Sequence, residues 1–578
     1  MNVFDFLSPA EITAVETNNW SVVTNVTASV QSALTASAGK RLSMPEGTYR
    51  TTAALTFPDD IEIEGEGGVF QSHVYGGEFA TTENGSHIKF SRIAFESAGT
   101  YSVVMTFTKC DWVELDHVVY NGALSGSLLS SIFLRSFGSK RIRVRGGRYY
   151  DCDNFVYLDK DGSVLSDDVH ISGAHFEHRF LGNSDNPCAV YAFNAGTVKV
   201  DGHCTSLNIA AGGSAPIAGY FVYEGDGVCD SLTVKDCESR MTIAKPHVMV
   251  QASNSKHCEV SGGNFYGKPF GATGQANYLF NGGGIGSVVR INENYSEHGA
   301  VVIAGGGSLA NATKLAQVRG NTFNGVDQTT SAIRFGIAGT HYVDVADCRD
   351  NVIEGTRASG VNFSQVSRIK GGGDSIKNWN TGNYATHGVH AYTAGVYIEG
   401  TPTGKLKDLV ISNASGQYGR VGIAGPNTVK LRGNEVSGVL DAPFVGISQN
   451  EPVSGSRASS SALSMTHATP HVIASVSLPV GKWIISGAAT FFPGETTSVQ
   501  IIGFGSSLTE TYGAENTFSN LYNIPAGVVY GGNVGLRQNI PVRTITVTEP
   551  STLRLIASAF FDGTMSACGE ISATPVLD

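Results

Sequence analysis

A short pattern of apolar, turn and aromatic residues recurs through the middle of the chain. Between about residue 87 and residue 448, an apolar strand residue is followed by a Gly, Asp or Asn turn and then by an aromatic or apolar residue. Clear copies occupy 144–149, 171–176, 260–265 and 318–323, and weaker copies begin at Phe90, Leu115, Val200, Val234, Ile291 and Leu431. The copies mostly begin about 26 to 30 residues apart, which is too short for a strand–helix–strand unit and is typical of one coil of a β-solenoid.

The same pattern predicts which side chains point inwards and which point outwards. Successive side chains of a strand lie on opposite faces, so the fifth and sixth positions after the first apolar residue of each copy should form two opposed columns. The fifth position should form an inward column of rings: Phe95, Tyr120, Tyr149, Phe176, Phe265 and Phe323. The sixth should form an outward, largely polar column that lines a groove: Glu96, Asn121, Tyr150, Glu177, Ser206, Arg240, Tyr266, Glu297 and Asn324.

The two ends of the chain carry different patterns. Val22, Val26, Val30 and Leu34 form one apolar stripe, which predicts a helix that Gly39 ends. Residues 450–462 are small and polar, as in a linker, and the stretches 472–478, 482–492, 498–504, 542–548 and 552–561 have strand patterns separated by turns. We therefore predict an all-β protein with an N-terminal segment and cap at 1–86, a solenoid at 87–449, a linker at 450–462 and a β-sandwich at 463–578.

Composition and charge narrow the class of protein. The 578 residues suffice for two to four domains, and the 15% charged residues and 71 glycines suit a chain with many tight turns. A net charge of −11 without a basic run argues against a nucleic acid partner. The sequence contains no run of about 18 apolar residues, which a membrane-spanning helix would need, and its first residues lack the pattern of a signal peptide.

The nine cysteines are odd in number and contain no C-x-x-C pair. Scattered cysteines of this kind are typical of buried, reduced packing residues rather than of a metal site. We therefore expect no metal and no cofactor, and we expect assembly in a reducing cytosol.

Two short motifs follow the predicted helix in a fixed order. They are L-x-x-P-x-G-x-Y and I-x-G-x-G, formed by Leu42, Pro45, Gly47 and Tyr49 and by Ile63, Gly65 and Gly67. Together they resemble the start of phage tailspikes and of pectate-lyase-like β-helices. The runs 478–483 and 563–573 resemble the jelly-roll tip of a phage fibre, so the resemblance covers nearly the whole chain.

The resemblance implies a right-handed parallel β-helix with a cap helix, a C-terminal jelly-roll-like sandwich for trimerisation or carbohydrate binding, and a homotrimer. It implies a tailspike depolymerase that binds and cleaves a bacterial capsular or other surface polysaccharide and so enables host recognition and entry. Such a protein is assembled in the host cytoplasm, resides in the virion and acts at the host surface. Because the cap helix begins within the first 25 residues, attachment to the phage tail or to another spike would use a short N-terminal segment.

The candidate catalytic residues are mostly carboxylates of the predicted groove. Cleavage of a glycosidic bond usually needs two carboxylates, about 5–5.5 Å apart for retention or about 6.5–9.5 Å apart for inversion. Coils stacked about 4.8 Å apart can supply either pair. The candidates for catalysis are Glu177, Glu224, Asp226 and Glu238, with Arg240 to hold a substrate carboxylate or hydroxyl. The candidates for substrate binding are His178, Asp185, Tyr150, Tyr266, Glu297, His298, Trp379 and Tyr384.

Several alternatives stay open at this point. Each of these residues could be an ordinary solvated charge on a groove wall, and the segment 379–392, which lengthens its coil, could pack against another subunit instead of binding sugar. A lyase could use Tyr266, His178 or His298 as the base and Arg240 to neutralise a uronate, although the abundance of carboxylates favours hydrolysis. A non-catalytic adhesin would have a similar polar groove. A secreted pectate lyase would need a signal peptide and a calcium-binding Asp cluster, and neither is found.

Overall fold

The computed structural model describes residues 1–73, 78–98, 101–122, 130–179, 187–208, 219–242, 246–269, 277–305, 308–326, 331–337, 339, 341–382, 393–414, 418–447, 453–508, 518–523, 529–530 and 535–576. The chain divides into two compact units. The first comprises Met1–Val429 and Asn434–Ser448, and the second comprises Lys430–Gly433 and Gln449–Asp578.

The first unit begins with short helices that differ from the predicted one. A 3-10 turn at Val3–Phe6 is followed by α1 (Pro9–Thr17) and α2 (Thr27–Ala36). Val22 lies outside α2 and is 85% exposed, so the predicted apolar stripe was one turn too long. The helix α1 was not predicted; Ser8 and Glu11 form a capping box at its start, which satisfies backbone N–H groups of the first turn. No helix among the described residues is long and apolar enough to cross a membrane.

The rest of the first unit is a parallel β-helix, as predicted. Each coil contributes a first and a second strand to a 28-stranded parallel sheet and a third strand to a 15-stranded parallel sheet. The first strands are Arg41–Thr51, Ile61–Ser72, Ile88–Ser91, Val113–Asp116, Ile142–Arg145, Val169–Ser172, Asn194–Asp201, Val228–Lys235, His257–Ser261, Val288–Asn292, Thr313–Arg319, Val343–Arg349, Val366–Gly372, Thr403–Lys407 and Val429–Arg432. In the first two coils, one long strand also serves as the second strand.

The second strands are short and carry the column predicted to face outwards. They are Ala94–Ser97, Val119–Asn121, Arg148–Tyr150, His175–His178, Thr205–Asn208, Glu238–Met241, Asn264–Tyr266, Tyr295–Glu297, Thr322–Asn324, Val352–Glu354, Ser375–Lys377, Val410–Ser412 and Glu435–Ser437. The third strands are Leu55–Thr56, Glu78–Glu83, Tyr101–Thr108, Ser130–Phe137, Asn154–Asp159, Cys188–Ala192, Gly219–Tyr223, His247–Ala252, Tyr278–Gly282, Ala300–Ile303, Ile333–Phe335, Val361–Phe363, Ala394–Ile398, Val421–Ala424 and Ala442–Val445. A 3-10 turn at Leu309–Asn311 joins two coils.

The interior of the β-helix contains the predicted column of rings. Phe95, Tyr120, Tyr149 and Phe176 are all buried, and the ring centroids of Tyr149 and Phe176 are 5.3 Å apart. Burying rings of this size from water stabilises each coil against the next. All nine cysteines are also buried and free, as predicted.

The assignment of Ser206 to the outward column was wrong. Three residues, not two, separate the strand Asn194–Asp201 from the strand Thr205–Asn208. Counted from Val200, each position of the second strand therefore comes one residue later than in the other coils. Ser206 therefore pairs in register with Phe176 and is buried, while Leu207 pairs with Glu177 and takes the outward place. A one-residue change of register moves a side chain to the opposite face.

The second unit is a β-sandwich, as predicted. One sheet contains Val453–Arg457, Leu463–Ser464, Gly481–Pro493, Leu536–Val547 and Met565–Pro575, and the other contains His471–Leu478, Thr497–Ser507, Phe518–Asn523, Val529–Tyr530 and Ser551–Asp562. A 3-10 turn spans Ser459–Ser461. Residues 453–457 of the predicted linker form an edge strand that pairs with Met565–Pro575. Trp483 is 1% exposed in the sandwich core.

A ladder of buried amides runs through the turn between first and second strands. The Nδ2 of Asn294 donates to the Oδ1 of Asn321 at 2.9 Å, Asn321 donates to Asn351 at 3.0 Å, and Asn351 donates to Asp374 at 2.8 Å. Each acceptor oxygen also binds the backbone N–H of the preceding ladder residue. At Asp374 a carboxylate replaces the amide, and burial raises the pKa of its carboxyl group to about 6.

We expect Asp374→Asn to stabilise the β-helix at neutral pH. Because the pKa of Asp374 is raised in the folded state, the free energy of unfolding should fall as the pH rises from about 4 to about 6. Asparagine removes the buried charge, so the variant should gain about 2–3 kcal/mol at pH 7 and little at pH 4. Thermal unfolding across this pH range measures the gain. Asp350→Asn, which replaces a neighbouring exposed carboxylate, is the control and should give no such pH-dependent gain.

Candidate functional site

The second strands place a row of outward side chains at the spacing of the coils. Tyr150, Glu177, Leu207, Arg240, Tyr266, Glu297 and Asn324 are paired in register on consecutive coils. We call these seven residues the outer column. Because parallel strands lie about 4.8 Å apart, the column presents one side chain every 4.8 Å or so along the β-helix. Aromatic, acidic, apolar, basic and amide side chains thus follow one another along one surface.

The centre of the outer column is built around Arg240. Its Nη2 lies 3.0 Å from the Oε1 of Glu238, and its guanidinium carbon lies 4.4 Å from the ring centroid of Tyr266. The ring of Tyr295 lies 5.7 Å from that of Tyr266. The guanidinium is 48% exposed, so the ion pair and the ring hold it in place while its remaining donors face solvent.

Glu177 lies three coils before Tyr266 on the same column. Its carboxylate is 17% exposed and lies 3.3 Å from the Nε2 of His175, whose Nδ1 lies 2.6 Å from the hydroxyl oxygen of Thr205. The imidazole is thus held between a hydroxyl group and a carboxylate. A carboxylate next to an oriented imidazole can exchange a proton with it.

A further arginine at this surface was not among the predicted site residues. The side-chain oxygens of Asp151 accept hydrogen bonds from the backbone N–H and the Nε of Arg179, both at 2.7 Å. The guanidinium of Arg179 also lies 4.7 Å from the ring of Tyr150 and donates to Asn121. Asp151 is fully buried in a left-handed turn conformation, and no sequence pattern marks an Asp that binds an Arg of the next coil.

Glu224 was predicted to be catalytic, and the structure places it in the interior. It is fully buried, and its oxygens accept hydrogen bonds from the backbone N–H groups of Cys229 and Asn254. Burial raises the pKa of its carboxyl group to about 7. The residue directly follows the strand Gly219–Tyr223, before the turn of its own coil, and has no exposed surface with which to contact a polysaccharide.

His178 and Trp379 were predicted to bind substrate, and both are buried. His178 follows the outward Glu177 on the same strand, so its ring faces inwards and lies 4.8 Å from the ring of Phe155. Burial lowers the pKa of His178 to about 4. The Nε1 of Trp379 donates to the carbonyl oxygen of Thr393, which makes the ring part of the core. The assignment of His178 conflicted with the alternation of side chains along its strand, which places it on the face opposite Glu177. The burial of Trp379 depends on how its coil turns, which a sequence does not show.

The other predicted residues are divided between two surfaces. Glu297 lies on the outer column, and the Nε2 of His298 is 3.9 Å from its carboxylate; the Nδ1 of His298 donates to the carbonyl oxygen of Gly325. Asp226 is exposed beside Tyr223 at the 15-stranded sheet, away from the outer column. Asp185 and Tyr384 lie outside the described residues. Within the described ranges, no group of three His, Cys, Asp or Glu residues could hold a metal ion.

We expect Glu224→Ala to act on stability. The change would leave the backbone N–H groups of Cys229 and Asn254 buried without an acceptor, so the free energy of unfolding should fall by about 2–4 kcal/mol. Asp226→Ala, two residues away and exposed, should change it by less than about 0.5 kcal/mol. Denaturant unfolding measures both variants, and equal effects would contradict the structural role of Glu224.

Comparisons with known proteins give structural matches only. No protein-family model and no curated protein matches the chain. Among solved structures, the chain is similar to tailspike protein 3 of bacteriophage CBA120, with 12% identity and a TM-score of 0.35 over 78% of this chain and 61% of that chain. It is similar to a tailspike protein of E. coli bacteriophage HK620, with 13% identity and a TM-score of 0.37 over 96% and 93% of the two chains. It is also similar to a GH87 alpha-1,3-glucanase from Streptomyces thermodiastaticus, with 13% identity and a TM-score of 0.30 over 78% and 68%.

Proposed function

We propose that the protein is a phage tailspike depolymerase whose outer column binds a bacterial surface polysaccharide and cleaves its glycosidic bonds. The observation that carries the proposal is the outward row of Tyr150, Glu177, Arg240, Tyr266 and Glu297 at the spacing of the coils, in which Leu207 occupies the one coil between Glu177 and Arg240. An extended polymer can follow such a row from coil to coil. Ring faces contact the apolar faces of sugars, while the guanidinium and the carboxylates bind hydroxyl or carboxylate groups.

Hydrolysis is the reaction that this set of side chains favours. Glu177 and Glu238 lie on second strands two coils apart, and Glu238 is in register with His175, two residues from Glu177 along the strand. Their Cα atoms are therefore about 12 Å apart. Their flexible side chains can approach the range of about 6.5–9.5 Å that suits an inverting mechanism. In it, one carboxyl group protonates the leaving oxygen while the other carboxylate takes a proton from the attacking water. Between turnovers the protonated base releases its proton to solvent, and the acid takes one up from solvent; the imidazole of His175, next to Glu177, can relay a proton between that carboxylate and solvent.

A non-catalytic receptor-binding spike is the second candidate, and a specific observation favours it. Both carboxylates already have a cationic or imidazole partner: Glu238 pairs with Arg240, and Glu177 lies against His175. Carboxylates whose oxygens are held by neighbouring side chains in this way can serve to orient those side chains instead of reacting with a substrate. A protein of this kind would bind the polysaccharide without shortening it.

We further propose that the chain works as a homotrimer in the virion, attached to the phage tail or to another spike through its N-terminal segment. The 15-stranded sheet has an apolar outer cluster of Cys188, Tyr220 and Val248 with Tyr191, Tyr223 and Tyr278 packed against it. Cys188, Tyr220 and Val248 are already buried within the chain, so the partly exposed rings of Tyr191, Tyr223 and Tyr278 are the part of this cluster that would contact another chain. Equilibrium sedimentation of the full chain would give the number of subunits, and a monomer at micromolar concentration would contradict the trimer.

The proposed chemistry predicts that Glu177→Gln abolishes cleavage and preserves binding. The amide keeps the size of the side chain but cannot transfer a proton, so the rate should fall by at least about 100-fold. The measurement incubates the full chain with capsular polysaccharides of several serotypes and follows chain length, together with the ultraviolet absorbance of unsaturated uronate. Shortening without that absorbance identifies a hydrolase, and shortening with it identifies a lyase.

Glu354→Gln is the matched control for this experiment. Glu354 continues the row one coil beyond Asn324 and six coils from Glu177, about 29 Å away, so its replacement should leave the rate unchanged. Full activity of both variants would remove Glu177 from the proposed mechanism. No shortening of any polysaccharide by the unmodified protein, with binding retained, would favour the receptor-binding spike.

Tyr266→Ala should weaken binding of a polysaccharide that the protein recognises. The change removes the ring on which the guanidinium of Arg240 rests and one of the ring faces of the column, so the Kd should rise about 5- to 30-fold. Isothermal titration with fragments of the recognised polysaccharide measures the Kd. Tyr418→Ala replaces an exposed tyrosine outside the column and should leave the Kd unchanged; equal weakening by both variants would contradict a specific role of Tyr266.

A further inference from the structure

The inward column of rings is interrupted directly behind the outer column. Phe176 and Phe265 are separated by two successive coils that carry Ser206 and Ser239 at the inward position. Both serines are buried and occupy much less volume than a ring. Polar side chains of these two coils and of the coil that carries Phe176 fill this part of the interior: His178, Asn208 and His247, each no more than 1% exposed.

One half of this interior polar region has all the hydrogen bonds that it needs. His247 lies with its Nε2 2.8 Å from the hydroxyl oxygen of Ser239, and its Nδ1 donates to the carbonyl oxygen of Gly219 at 3.0 Å. Its backbone N–H also donates to the side chain of Asn277. Two buried imidazole nitrogens are thus each matched with a protein partner.

The other half lacks such partners. Both ring nitrogens of His178, the Oγ of Ser206, the Nδ2 of Asn208 and the Oδ1 of Asp153 are buried without a hydrogen bond from the described protein atoms. His178 and Asn208 are paired in register on adjacent coils, and Ser206 lies two residues before Asn208. The backbone of Cys152 and Asp153 and the side chain of Asn208 lie close to the His178 ring without being aligned for a hydrogen bond.

The chemistry of these atoms identifies what would satisfy them. Asn208 offers a donor, Asp153 offers an acceptor, and a neutral imidazole offers one of each, so the missing partner must both donate and accept hydrogen bonds. A cation would be repelled by the amide donor, and a sugar is too large for a closed interior. Buried groups with this mixture of donors and acceptors are typically bridged by ordered water.

We propose that ordered water molecules occupy an interior pocket bounded by Asp153, His178, Ser206 and Asn208 and link these side chains across three coils. The pocket is therefore a hydration site built into the β-helix, at the level of the coil that carries Glu177 on its outer face. The water network takes the place of the ring-to-ring packing that is absent where Ser206 and Ser239 occupy the inward position. It keeps the strands His175–His178 and Thr205–Asn208 in one fixed arrangement, whatever reaction the outer face performs.

A crystal structure of the full chain at a resolution that shows ordered water tests the proposal directly. We expect at least one water peak within hydrogen-bonding distance of two or more of the five atoms. Direct hydrogen bonds between His178 and Asn208 with no peak, an empty pocket, or a peak that refines as a metal ion would each overturn the proposal.

A second measurement uses the direction of a stability change. Phenylalanine fills the space of His178 and can keep the contact with Phe155. If water bridges the ring nitrogens, His178→Phe breaks the network, and the apparent Tm of the full chain at a fixed heating rate should fall by about 1–3 °C. If the nitrogens had no partner, the same change would remove buried polar atoms at no loss, and an unchanged or raised Tm would overturn the proposal. His247→Phe is the matched control and should lower the Tm in either case.

Discussion

Hydrogen bonding between consecutive coils, in parallel register and about 4.8 Å apart, is the constraint on which the rest of the β-helix depends. The register aligns equivalent positions of every coil, so a choice made at one position is repeated along a column. Phe95, Tyr120, Tyr149 and Phe176 follow one another inside for this reason, and Tyr150 and Glu177 follow one another outside. Core packing and the proposed binding surface are therefore two faces of the same short strands.

The sequence predicted the features that are repeated in every coil and missed those that occur once. The β-helix, the inward rings, most of the outward column and the strands of the sandwich follow from period-two patterns and turn residues. Glu224 could not be placed, because its burial depends on how a single coil bends, whereas the alternation along the strand already puts His178 on the face opposite Glu177. Asp151 and Arg179 were missed because their contact joins two coils and leaves no local pattern.

Polar groups on the outer face of the second strands and polar groups in the interior, on the opposite face of the same strands, are stabilised in different ways. On the outer face, charges pair with neighbours and stay in contact with water, as Arg240 does with Glu238 and with the ring of Tyr266. In the interior, amides, carboxyl groups and imidazoles are neutral or bind backbone N–H groups, as in the ladder from Asn294 to Asp374. Neighbouring residues of one strand thus differ in accessibility: the side chain of Glu177 is 17% exposed, whereas His178 is 1% exposed.

The three-residue turn before Thr205 shows how such a surface can change during evolution. The longer turn takes up the additional residue, so the second strand stays in register with its neighbours, with Ser206 opposite Phe176, and the first strands also pair as before, with Val200 opposite Val234. An insertion that would destroy an ordinary sheet is absorbed here within about five residues. The turns of one coil can therefore change in length independently of the other coils. Small insertions and deletions could thus give a lineage new surface side chains while the strand pairing of the β-helix is kept.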